Sequence, residues 1–135
     1  MSILFPVFAM VLLTFLISPL LVTARVDSVK TGVVRLQYYE IFRGGEPTDR
    51  VLQTTRHWSN LYEAPVLFYI ACLMAYVVNM ESALLVGLAW SYVALRVVHS
   101  FIHLTYNKVF HRLGAFMISQ GILLVMWVLI FIKII

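Results

Sequence analysis

Charge is scarce in this chain, and acid is scarcer than base. Charged residues make up 12% of its 135 residues, with six Asp and Glu against ten Lys and Arg, where soluble domains average about 25% charged. Cysteine is nearly absent too: Cys72 stands alone in an apolar segment. That excludes an intrachain disulfide and leaves redox compartment unreadable; a buried apolar thiol is expected to be inert. There is no Gly/Ser linker, low-complexity tract, internal repeat, or acidic or basic tail. No basic segment precedes the first apolar run, whose first positive charge is Arg25. It therefore reads as a retained span and not as a cleaved signal peptide.

What fills the chain is apolar surface. Hydrophobic residues reach 62%, more than a soluble domain of this length could bury, so the sequence reads as a single integral membrane domain over 1–135. Ile3 to Ala24 can cross a hydrocarbon core of roughly 30 Å at about 1.5 Å per residue. Pro19 should kink it. Amphipathic spacing beyond Ala24 extends this first helix to about Tyr38 (3–38). Gly44-Gly45 marks a turn, and Glu46-Pro47-Thr48-Asp49 suits a helix start. A second helix follows over 48–78, bent at Pro65. Ser82 caps a third over 82–106, Asn107 stops it, and a fourth covers 110–132. Short connections make neighbours antiparallel, giving an all-α, up-down-up-down bundle of four transmembrane helices.

Basic residues cluster on one side. Arg25, Lys30, Arg35, Arg43, Arg50 and Arg56 follow the first span, Lys108 and Arg112 join the third to the fourth, and the other side has only Lys133. The positive-inside rule then places both termini on the non-cytoplasmic side. Arg25, Lys30 and Arg43 read as contacts to lipid headgroups. His57 and His111, near helix ends, read as interfacial.

The remaining polar residues form two stripes. Arg96, His99 and His103 share one face of the third helix, and Arg56, Asn60 and Glu63 share one face of the second. Arg96 lies on the order of 15 Å into its span, so it needs a buried partner, and Glu63 is the expected one. Arg35, Arg56 and Arg112 then remain as surplus positive charge beside a membrane pocket, which points to an anionic small ligand and not to nucleic acid.

The ordered set of motifs (Val34-Arg35-Leu36 closing the first span, Asn60-x-x-Glu63 with Pro65 on the second, Arg96-x-x-His99 on the third, Arg112 opening the fourth) resembles the MAPEG family. These are the membrane-associated proteins in eicosanoid and glutathione metabolism, and the likeness covers nearly the whole chain. The resemblance implies a homotrimer binding glutathione between subunits, in a pocket open to the cytoplasm. By residue, it implies glutathione contacts from Arg35, Arg56, Asn60, Glu63, Arg96, His99, His103 and Gln120, with Arg112 stabilising the thiolate. His103 stands where family members commonly have tyrosine, Leu113 replaces a serine, and Phe116 replaces an aromatic hydroxyl. The implied activity is a glutathione-dependent transferase or peroxidase acting on lipophilic electrophiles, with no metal. Two other classes fit parts of the pattern. One is a non-catalytic membrane subunit or lipid-binding scaffold whose polar residues only join helices. The other is a haem-binding bundle using His57, His99, His103 or His111.

Overall fold

The computed structural model describes residues 2–135. Its helices are α1 (Leu4–Lys30), α2 (Tyr38–Ile41), α3 (Asp49–Glu63), α4 (Val66–Val77), α5 (Ala83–Leu104) and α6 (Val109–Ile134). With α3 and α4 counted together, four helical segments are long and apolar enough to cross a membrane.

Local chemistry sets most of the boundaries. The Thr48 hydroxyl accepts from the Val51 amide at 3.4 Å and opens α3, and Ser82 accepts from Leu85 at 3.2 Å and opens α5. Asn107, at φ +48°, closes the end of α5 with its amide on the Ile102 carbonyl at 2.9 Å. Proline at position 65 cannot donate, and the second span divides there into α3 and α4. The Tyr92 hydroxyl donates to the Ala64 carbonyl at 3.4 Å, satisfying an acceptor beside the break.

The first helix is shorter than its amphipathic pattern predicts. It ends at Lys30, not near Tyr38, because Gly32 turns left-handed at φ +72°. Gly32 then donates to Val29 and Val33 donates to Ser28, both at 3.0 Å, closing a Schellman cap. Arg35 consequently lies outside any helix, exposed on the segment that leads to α2.

The core is built for close approach. Ala71, Ala75 and Ala89 are fully buried, as are Cys72, Met10 and Met126, so helix backbones can draw near. Cys72 packs as a buried free thiol. Phe68 and Tyr92 stack with ring centroids 4.4 Å apart. Phe8, Phe15, Leu16, Phe101 and Phe131 are each more than 60% exposed; a surface this apolar suits lipid, not water.

Two long-range contacts fix which ends meet. Glu81, between α4 and α5, accepts from the Ser2 hydroxyl at 3.0 Å and the Ile3 amide at 2.9 Å. At the other end, the Gln53 side chain donates to the His103 carbonyl. This brings the start of α3 against the end of α5, where the polar stripes meet.

Candidate functional site

The side chains of α3, α5 and α6 enclose a cavity of about 280 Å³ near this end of the bundle. Arg56 and Asn60 come from α3, His99 and His103 from α5, and Arg112 and Phe116 from α6, with Val109 and Leu113 as an apolar lip. A second cavity of about 290 Å³ shares Arg56, His103 and Arg112 and runs out toward Asp49, Thr105 and Asn107. The inner cavity has no carboxylate in its lining. Guanidinium and imidazole groups can donate there, and the inner lining itself offers the arginines no acid, which is the charge balance an anion requires.

Arg112 is held in place from two sides. Its Nη1 donates to Asn107 Oδ1 at 2.9 Å and to His103 Nε2 at 3.3 Å. A guanidinium has no acceptor, so His103 must offer a lone pair at Nε2 and carry its proton on Nδ1.

Arg96 departs from expectation. It is fully buried, as its depth in α5 requires, but its partner is Asn60: the guanidinium Nη2 donates to the Asn60 side-chain oxygen. Glu63, the expected partner, is exposed. On α3 the buried residues are Val51, Thr54, His57 and Leu61, and Asn60 adjoins that face, whereas Glu63 lies far enough round to point outward. Arg96 Nε and Nη1 have no partner among the described residues, and its guanidinium carbon sits 5.8 Å from the Phe116 ring centroid. That ring face partly compensates the charge.

The sequence reading placed His57 at the interface, and the structure overturns it. His57 is fully buried, with its ring centroid 4.9 Å from that of His103 and 5.7 Å from that of His99. Neither of its ring nitrogens has a partner among the described residues. Its period with Val51, Thr54 and Leu61 on one face of α3 was the available signal. His111 does lie exposed, 3.3 Å from the Tyr106 hydroxyl.

Thus Arg56, Asn60, His99, His103 and Arg112 line one cavity, while Arg96, expected among them, is buried against Asn60 and does not line it. Gln120 is half-buried on α6 with its Nε2 unpartnered, but does not line the cavity. Arg35 and Glu63 lie exposed outside it. Arg25, expected at headgroups, is half-buried, with the Tyr39 and Phe42 ring centroids 5.4 and 5.6 Å from its guanidinium carbon.

A family model described as the MAPEG family matches residues 3–132. The chain belongs to the MAPEG family. No curated protein and no solved structure matches it. The match extends through all four candidate spans of this MAPEG protein, so membership rests on the whole bundle and not on the arginine motifs alone. This supports an integral, multi-pass membrane protein. Within that frame, His103 gives Arg112 of this MAPEG chain a hydrogen-bond acceptor.

Proposed function

We propose that this chain is a glutathione-dependent membrane transferase or peroxidase for lipophilic electrophiles. The observation that carries the reading is the inner cavity, where Arg56 and Arg112 join His99 and His103 with no carboxylate in the lining. Glutathione brings two carboxylates, one ammonium and a thiol, so its site calls for several fixed cations. Arg56 suits a carboxylate, with Asn60 and His99 as neutral partners, and the buried Arg96 orients Asn60. Arg112, fixed by His103 and Asn107, suits the sulfur, where a guanidinium favours the nucleophilic thiolate.

The residues outside the cavity support an oligomeric site. Arg35, Glu63 and the exposed edge of Arg56 would reach the tripeptide across a boundary between protomers of a homotrimer, Glu63 meeting the ammonium. Gln120 would lie deeper on α6. In this reading the helices run up-down-up-down with both termini non-cytoplasmic, and the basic end opens to the cytoplasm. The lip of Val109 and Leu113 admits the apolar co-substrate from lipid.

Conjugation forms a C–S bond while the leaving group departs with its electron pair. Peroxide reduction breaks the O–O bond, yielding the alcohol and a glutathione sulfenic acid that a second glutathione converts to disulfide and water. Rate enhancement comes from positioning and electrostatics. Equilibrium dialysis of glutathione against the purified oligomer tests the reading. Saturable binding, weakened in Arg112→Ala and in Glu63→Ala, is expected; no binding by the wild type would end the enzymatic assignment.

A further inference from the structure

A separate cleft lies where α1 meets the segment leading to α2. It encloses about 340 Å³ and is lined by Val26, Val29 and Leu36, with Arg25, Lys30 and Tyr39 beside them. Its floor is hydrocarbon and two of its walls are cationic. None of its lining residues borders the arginine–histidine cavity.

Arg25 is built into this place and does not sweep freely through solvent. Its guanidinium lies against the Tyr39 and Phe42 rings, and its Nη2 donates to the Thr55 hydroxyl at 3.5 Å. Tyr39 is itself fixed, its hydroxyl 2.6 Å from that of Ser28. Yet among the described residues Arg25 pairs with no acid, and its buried Nε–H has no partner. The nearest acids in sequence, Asp27 and Glu40, are exposed and do not line the cleft. A positioned guanidinium without a counter-charge, with a lysine beside it and an apolar trough below, matches one kind of molecule: an anion joined to a hydrocarbon chain.

We propose that this cleft binds an anionic glycerophospholipid, the phosphate between Arg25 and Lys30 and the upper acyl chain along Val26, Val29 and Leu36. The site lies at the basic end of the bundle, where an acidic leaflet would supply such lipids. It is independent of the glutathione reading, since Arg25 and Lys30 take no part in that cavity.

Native mass spectrometry of the detergent-purified oligomer, offered phosphatidylglycerol or phosphatidylcholine, reads the selectivity directly. Phosphatidylglycerol should be retained on the order of tenfold more strongly, and R25Q/K30Q should abolish the preference while leaving glutathione dialysis unchanged. Leu36→Trp, at an exposed position that tolerates bulk, should expel the acyl chain with both charges intact. Equal retention of the two lipids, or a preference that survives R25Q/K30Q, overturns the proposal. So does displacement of bound lipid by millimolar inorganic phosphate, which would make this a soluble-anion site. Dissociation of the oligomer by Leu36→Trp with no lipid bound would assign the cleft to a neighbouring copy and likewise end it.

Discussion

Arg112 donates to Nε2 of His103 at 3.3 Å, and the ring of His103 rests against that of His57 with centroids 4.9 Å apart. A carboxylate in the place of His103 would orient the guanidinium equally well but would cancel its charge. A neutral imidazole orients Arg112 and leaves its full charge available to a ligand.

Replacement of His103 should therefore separate orientation from charge. His103→Leu removes the acceptor and should weaken glutathione binding about tenfold, the worth of one charge-assisted hydrogen bond. His103→Gln keeps an acceptor and should stay within about threefold. His103→Glu should bind least well, because it neutralises the site. Isothermal titration across the three variants gives the order.

Among the described residues, Asn60 is the sole hydrogen-bond partner of the buried Arg96 guanidinium. Asn60→Leu strands that charge and should destabilise the protein by roughly 3–5 kcal/mol. Arg96→Met added to Asn60→Leu should recover much of the loss, since the stranded charge is then gone. Glu63→Gln, at an exposed position, should change stability by no more than about 0.5 kcal/mol. Thermal unfolding in detergent measures all three, and a large loss in Glu63→Gln would restore the Arg96–Glu63 pair that the sequence suggested.

His57 buries two ring nitrogens without partners. An apolar side chain of similar size removes that desolvation cost, so His57→Leu should raise stability by about 1–3 kcal/mol. It should also loosen the His103 ring and so weaken glutathione binding. A gain in unfolding temperature with a loss in affinity is the expected pair of results.

Gly32 holds φ +72° at the end of α1. Gly32→Ala meets no steric neighbour but carries the left-handed backbone cost of about 1–2 kcal/mol. A drop in unfolding temperature of that size is expected. An unchanged temperature would mean that the Schellman cap is not what ends the helix.

The sequence made the spans and most of their ends legible, because those depend on local chemistry: Thr48 and Ser82 accept backbone amides, Pro65 cannot donate one, and Asn107 tolerates a left-handed turn. Gly32 carried the same kind of signal, but amphipathic spacing from Arg25 to Leu36 masked it. Helical spacing grouped Arg96 with His99 and Arg56 with Asn60; His99, Arg56 and Asn60 line one cavity, and Arg96 is buried against Asn60. The spacing could not choose between Asn60 and Glu63, three residues apart on one stripe, because that depends on how far α3 is rotated against α5. His57 was missed for a related reason. Near a helix start a histidine reads as interfacial, and only the packing of α5 across α3 buries it. Arg35 and Glu63 lie exposed outside the cavity, so the proposed role for them requires a neighbouring protomer.

The central claim is that Arg112 lowers the thiol pKa of bound glutathione. Ultraviolet absorbance of the thiolate, titrated with pH on the glutathione-saturated oligomer and compared with Arg112→Ala, tests it most directly. The account predicts a thiolate signal at neutral pH in the wild type, shifted to clearly higher pH in the variant. A titration that matches free glutathione in the wild type, or the same curve with and without Arg112, would contradict it.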